Sequence, residues 1–299
     1  VTTDQNFELS LQEVSDEIYK VMNHILPKPQ GGEGRVIEAM RYSSLSQGKR
    51  LRPFLVVASS DLFCVSKKSS FMAAAAIEFI HTYSLIHDDL PALDDDPVRR
   101  GQPSCHVMFD EATAILAGDG LLTFAFHLLT DDRVHADPGV RCELVRSLSE
   151  ASGCNGMIGG QMMDILSEQV DFTKDEIIRL QRLKTGELFS IACEFGAILG
   201  KAPEKMRLAL RKYAQNLGLA FQITDDLLDA EGTRQDSGKD SGKESKEARK
   251  PNLVSMMGVE RAKEQASMLA AQAKMHIEVF GAKADVMKQL ADFVVQRRG

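Results

Sequence analysis

The sequence predicts an all-α protein, a single large helical bundle over residues 1–299 around a central cavity, with no significant β-sheet. Three observations carry this expectation. Apolar residues recur at three- and four-residue steps along almost the whole chain. Alternating β-branched runs that could form strands are scarce. Two apolar helical stretches, Phe71 to Ile86 and the one that reaches Phe221, each end in a cluster of aspartates.

The elements follow in order. Leu11, Val14, Ile18, Val21, Met22 and Ile25 mark one face of a helix from Phe7 to Ile25, and Pro27 and Pro29 end it. After the turn Gly31 to Gly34, a second helix covers Arg35 to Leu45. Gln47-Gly48-Lys49-Arg50-Leu51-Arg52-Pro53 then sets three cations just ahead of an apolar helix over 54–63, where backbone amides already favour anions. A helix over 69–89 reaches the first acid cluster, and Pro91 breaks its regular course, so a local bulge must bring Asp94 back toward Asp88.

Beyond it, apolar stretches at 105–116 and 120–129 flank Gly118-Asp119-Gly120, and a helix from Val140 to Ser152 precedes a kink-prone, glycine-rich run over 153–164. Gln161 and Asp164 read there as satisfied core polar groups that support a metal shell. Thr173 and Glu176 form a capping box that opens a helix through Ile198, with a kink at Gly186. The next helix spans Pro203 to Ala230, and helices over 258–280 and 284–297 close the chain. Between them, 231–250 turns abruptly to Gly, Ser, Asp, Lys and Glu, which reads as a mobile lid whose lysines swing over bound phosphate.

Composition narrows the function. Hydrophobic content of 43% with 26% charged residues is that of a soluble globular protein, and a net charge of -7 without Trp argues against nucleic-acid binding. Five scattered cysteines without C-x-x-C spacing indicate neither a disulfide framework nor a zinc site, which fits a reducing cytoplasm. The start VTTDQNFELS lacks the features of a signal peptide, and Asp119 and Glu78 interrupt the greasiest windows, so no membrane insertion is expected.

The chemistry lies in the aspartates. HTYSLIHDDLPALDDDPVRRG (81–101) carries Asp88, Asp89, Asp94, Asp95 and Asp96, with Arg99 and Arg100 behind them. So many like charges at the end of an apolar helix repel one another unless cations sit among them. In FQITDDLLD (221–229), Asp225 and Asp229 are one turn apart and Asp226 shares their face. Two such clusters facing one another would cage hard cations. Magnesium suits them, because it takes one or two carboxylates, keeps waters and completes its shell with phosphate oxygens. Solvated helix ends or calcium sites are the bland alternatives, but 94–105 lacks the sixth-position Gly and closing Glu of an EF-hand loop.

DDLPALD, GKRLRP (48–53), LKTGE (183–187) and FQITDDLLD together resemble the short-chain trans-isoprenyl diphosphate synthases, in their bacterial farnesyl diphosphate branch. The likeness covers nearly the whole chain, in the family's motif order. It implies an isoprenoid synthase-like bundle around a central active-site cavity, and condensation of isopentenyl diphosphate with dimethylallyl or geranyl diphosphate. About three magnesium ions, replaceable by manganese, would be held chiefly by Asp88, Asp94, Asp225 and Asp229, with Asp89 and Asp226 close behind. Arg99, Lys184, Thr185, Gln222 and Lys239 would contact the departing diphosphate. Lys239 matches the family's Gly-Lys pair, while Lys243 and Lys250 match less well. The second substrate keeps its diphosphate, so organic cations suffice: Lys49, Arg52, His81 and Arg100, with Gly48 allowing close approach.

Tyr83, five residues before Asp88, stands where the family places residues that stop the growing tail, and with Ser84 and the two-residue insertion in DDxxxxD it points to a fifteen-carbon product. A homodimer is implied too. Geranylgeranyl or geranyl diphosphate synthesis, a terpene cyclase and a non-catalytic modulatory subunit are the rival readings. The second motif keeps the all-aspartate form, and both acid clusters are intact.

Overall fold

The computed structural model describes residues 3–236 and 252–296. It is all-α apart from one small hairpin. The chain forms two compact units, Val1–Leu148 with Phe195–Ala202, and Ser149–Glu194 with Pro203–Gly299.

The first unit holds α1 (Thr3–Ile25), α2 (Gly34–Ser44), α3 (Leu51–Leu62), α4 (Lys67–Asp88), β1 (Val98–Arg99), β2 (Gln102–Pro103), α5 (Cys105–Met108), α6 (Glu111–Leu129) and most of α7 (Pro138–Ser152). Its centre is α4, which packs along α6 and α3. Four successive alanines, Ala73 to Ala76, are fully buried together with Ile77, Phe79 and Ile80, so the helix is apolar all round, as a helix surrounded by others must be. The Ser66 hydroxyl caps α4 by accepting the Ser69 N–H at 3.2 Å. Leu11, Ile18 and Met22 bury the predicted stripe of α1.

The Gly118-Asp119-Gly120 segment lies inside a helix: α6 runs unbroken through it. The glycines serve contact there. A Cβ at Gly118 would lie 2.1 Å from His87 Nε2, and one at Gly120 2.9 Å from the Met40 sulfur. By length and composition α6 could cross a membrane, despite Asp119, but it packs along α4 and α2, and its outward face shows Ile115 and Leu116.

The second unit holds α8 (Met157–Ser167), α9 (Lys174–Gln181), a π-helical turn (Arg182–Gly186), α11 (Glu204–Asp236), α12 (Leu253–Met257), α13 (Val259–His276), a 3-10 segment (Glu278–Ala284) and α14 (Asp285–Gln296); α10 (Glu187–Leu199) contributes to both units. The Thr173/Glu176 capping box is present. The kink predicted at Gly186 is this π-helical turn, and Gly186 lets α11 come close: a Cβ on Gly218 would stand 3.2 Å from the Gly186 Cα. Helix α11 lies against α13 and α14, and the buried Tyr213 hydroxyl ties it to the Met287 carbonyl at 2.7 Å. It continues to Asp236, into the stretch expected to be loop. The rest of the expected lid, with Lys239, Lys243 and Lys250, lies outside the described residues. The closing helix expected over 258–280 stops at His276, where the 3-10 segment with Gly281 at φ 60° takes over.

Candidate active site

The first acid cluster is shaped by the end of α4. Asp88 closes the helix and Asp89 follows as its cap, so both carboxylates stand at the negative end of the helix dipole, where cations are favoured. After Pro91 the backbone curls back. The Asp94 N–H donates to the Asp88 carbonyl at 2.9 Å, Asp95 N–H to Leu90 at 3.2 Å and Asp96 N–H to Asp89 at 3.2 Å. This is the bulge the sequence required. Asp88 and Asp94 are half-buried, whereas Asp89 is buried.

Asp89 faces Arg99, whose Nε donates to Oδ1 at 2.9 Å, and Arg99 Nη2 also reaches Asp96 at 3.2 Å. Burial pushes the Asp89 carboxyl above its ordinary value, outweighing the Arg99 bond that pulls it down. Burial pulls the Arg99 guanidinium down, but Asp89, with Asp96 and Asp88, together outweigh it and leave it above its ordinary value.

A hairpin unseen in the sequence separates the two arginines. Arg99 pairs with Gln102 and Val98 with Pro103, and Arg100 and Gly101, both at positive φ (55° and 74°), make the two-residue turn of type I′. Arg99 therefore serves the aspartate loop, while Arg100 reaches the Ser46 hydroxyl at 3.2 Å and lies 3.8 Å from Glu78. Gly48 makes room for it: a Cβ there would be 3.0 Å from the Arg100 Cζ. Of the residues predicted for the second diphosphate, the fold sets Gly48 against Arg100 and Arg52 against His81. Arg52 Nη1 lies 3.2 Å from His81 Nε2, Lys49 is exposed, and Arg50 turns inward. Burial first, then the charges of Arg52 and Arg100, hold the His81 imidazole well below its ordinary value, so it is neutral and accepts from Arg52.

Arg50 and Glu78 were not foreseen as a pair. Arg50 adopts the left-handed conformation at φ 48°, which costs a non-glycine residue roughly 1–2 kcal/mol. Its guanidinium holds the Glu78 carboxylate and donates to the carbonyls of Ser44, at 2.8 Å, and Ser46. Both side chains are buried. The one signal in the sequence was a Glu alone inside an apolar helix.

The second unit brings together the remaining predicted residues that are described. Lys184 Nζ meets Asp164 at 2.7 Å, Thr185 donates to Gln222 at 3.2 Å, and Gln222 Nε2 donates to Asp226 at 3.0 Å. Gln181, also unforeseen, donates to the other Asp226 oxygen at 3.2 Å. Asp226 is thereby a buried anchor between the end of α9 and α11, and Asp225 beside it is half-buried. Asp229 follows Asp225 by one turn on α11. Gly160 packs on the same turn, since a Cβ there would stand 2.2 Å from the Lys184 backbone nitrogen. Both side-chain polar atoms of Gln161 are buried without a partner among the described residues.

Tyr83 is buried, its ring edge-to-face with His87 at 5.8 Å, and burial, then the Asp88 charge, pushes its phenol up to about 12. The phenol oxygen has no hydrogen-bond partner among the described residues. The neighbouring Ser84 hydroxyl donates to the His81 carbonyl at 2.9 Å.

Among the described residues no three His, Cys, Asp or Glu side chains converge as a metal-holding group. The donors are hard carboxylate oxygens, which fits magnesium, since that ion takes one or two carboxylates and leaves the rest of its shell to water and phosphate.

Known proteins are similar to this chain in sequence and in fold. A protein from Escherichia coli (strain K12) called farnesyl diphosphate synthase is 43% identical over 269 residues, covering 88% of this chain and 89% of that one. A geranylgeranyl diphosphate synthase from Cyanophora paradoxa is 38% identical over 296 residues, 99% of this chain and 98% of its own. The apo crystal structure of an FPP/GFPP synthase from Zymomonas mobilis superposes with a TM-score of 0.90 at 42% identity, covering 98% of this chain and all of the other. The sequence pattern of the polyprenyl synthetases matches residues 33–292, and with relatives this similar over nearly their whole length, the chain belongs to the polyprenyl synthetase family.

Proposed function

We propose that this polyprenyl synthetase is a farnesyl diphosphate synthase of the geranyltranstransferase type, joining isopentenyl diphosphate head to tail to dimethylallyl or geranyl diphosphate. The observation that carries the reading is the hairpin that divides Arg99 from Arg100, giving one arginine to the aspartate loop and the other to Ser46 and to Glu78, which sits on the helix that carries His81, the partner of Arg52. One reaction with a departing and a retained diphosphate needs two such stations.

In this reading Asp88, Asp94, Asp225 and Asp229 would hold magnesium, which would supply positive charge to offset that of the leaving diphosphate. The allylic carbon–oxygen bond breaks with its electron pair going to the diphosphate. Arg99 and Lys184 stabilise that charge, and Thr185 and Gln222 line the same diphosphate, the Thr185 hydroxyl donating to Gln222, which in turn donates to the buried Asp226. Gly48, Lys49, Arg52, His81 and Arg100 hold the second diphosphate, and the neutral His81 keeps the Arg52 fork in place. The alkene of the second substrate then bonds to the allylic carbon, and the proton lost from the product cation goes to the released diphosphate. No protein acid or base is required.

Tyr83 limits the tail to fifteen carbons in this account, its ring braced by His87, which bonds the Ile115 carbonyl at 3.0 Å. The outward Ile115 and Leu116 of α6 support a homodimer through that face. Five cysteines without a disulfide support a reducing, cytoplasmic setting.

The test is turnover of purified protein with magnesium, isopentenyl diphosphate and dimethylallyl or geranyl diphosphate, with products resolved by chain length. Farnesyl diphosphate is expected. A twenty-carbon product would favour the geranylgeranyl alternative. A cyclic hydrocarbon, or no turnover by folded protein, would overturn the assignment.

A further inference from the structure

The Arg52–His81–Arg100 cluster is built over a carboxylate. Glu78 lies three residues before His81 on α4 and is 1% exposed. It holds Arg50 in an ion pair and stands 3.8 Å from Arg100. Arg50 in turn clamps the carbonyls of Ser44 and Ser46, and the Ser46 hydroxyl accepts from Arg100 at 3.2 Å. The loop that carries Gly48 and Lys49 and the tip of the hairpin therefore share one buried anion. An acid under an anion site is at first sight in the wrong place, because its charge opposes the ligand's. Arg50 offsets it, and what remains is directional: Arg100 is drawn to a fixed place beside Gly48, where a Cβ would meet its guanidinium at 3.0 Å.

We propose that Glu78 is a positioning residue for the retained diphosphate, acting through Arg100 and the Arg50-clamped loop. The inference rests on the assignment of Arg52, His81 and Arg100 to isopentenyl diphosphate. Its sign separates it from simple electrostatics. Removing a negative charge beside a diphosphate would tighten binding if charge alone mattered. Removing a positioning group loosens it.

The experiment is steady-state kinetics of Glu78→Gln, varying each substrate in turn. The expected result is a KM for isopentenyl diphosphate raised about tenfold, with kcat and the geranyl diphosphate KM changed less than about twofold. Glu78→Asp should recover part of the loss. If Glu78→Gln folds poorly, the double variant Glu78→Gln/Arg50→Met removes both buried charges and should fold while keeping the raised KM. An unchanged or lowered KM for isopentenyl diphosphate in the folded variants would overturn the proposal. Arg52→Gln measured alongside separates the two failures. If it leaves that KM unmoved, the site assignment itself is wrong; if it raises the KM while the Glu78 variants do not, only the role of Glu78 is.

Discussion

Asp94 donates its backbone N–H to the carbonyl of Asp88 at 2.9 Å, so two aspartates six positions apart meet across the bend that Pro91 imposes. In a straight helix they would lie on different faces. Both are proposed to hold magnesium, so Asp88→Asn should lower kcat by on the order of 10²–10³-fold, the scale of losing one preorganised electrostatic contact. Thermal unfolding should stay close to wild type, because Asp88 is half-buried at a helix end. Near-normal kcat would remove Asp88 from the ligand set.

The buried Tyr83 ring gives a second prediction. Tyr83→Ala removes the aromatic wall beside His87 and should extend the main product beyond fifteen carbons, read by chromatography of dephosphorylated products. An unchanged product length would assign Tyr83 to core packing alone.

The Arg50–Glu78 pair makes the third. Arg50→Met leaves the Glu78 carboxylate buried with its main partner gone, and breaking such a pair costs roughly 3–5 kcal/mol. Urea unfolding should show that loss, and the double variant with Glu78→Gln should regain most of it. Equal stabilities for Arg50→Met and wild type would mean that the pair contributes little.

His81 makes stability depend on pH. Burial, reinforced by Arg52 and Arg100, holds its folded value well below the ordinary one, so below about pH 6.5 the unfolded chain takes up a proton that the fold refuses. Its contribution is complete above about pH 6.5 and falls as the pH drops toward the folded value. Urea midpoints should decline between about pH 7 and about pH 5.5, and decline less in His81→Gln. The same decline in both proteins would show that His81 takes up its proton equally in the folded and the unfolded chain, contradicting the prediction.

Much of this was legible in the sequence because it is local. Apolar periodicity gave α4, Pro91 demanded the return of Asp94, and Thr173 with Glu176 announced the start of α9. Long-range pairing was not legible. Nothing in Lys49-Arg50-Leu51-Arg52 says which cation turns inward; that depends on Glu78, 28 residues away, and on the left-handed turn at Arg50. Gln181 reaches Asp226 across 45 positions, equally without local trace. The hairpin was hidden because its strands have two residues each and its turn uses Arg100-Gly101 in place of Asn-Gly. Nor does the sequence show that Gly118 and Gly120, costly in an isolated helix, each make space in α6 for a neighbour's side chain.

The central claim is that carboxylates of both acid motifs recruit magnesium to an allylic diphosphate. Titration calorimetry with a non-ionising thio analogue of geranyl diphosphate tests it directly, on wild type, Asp88→Asn and Asp225→Ala, each with magnesium and with chelator. The account predicts tight binding to wild type only when magnesium is present, and at least about tenfold weaker binding to both variants. Binding that is equally tight in chelator, or untouched by either substitution, would contradict it.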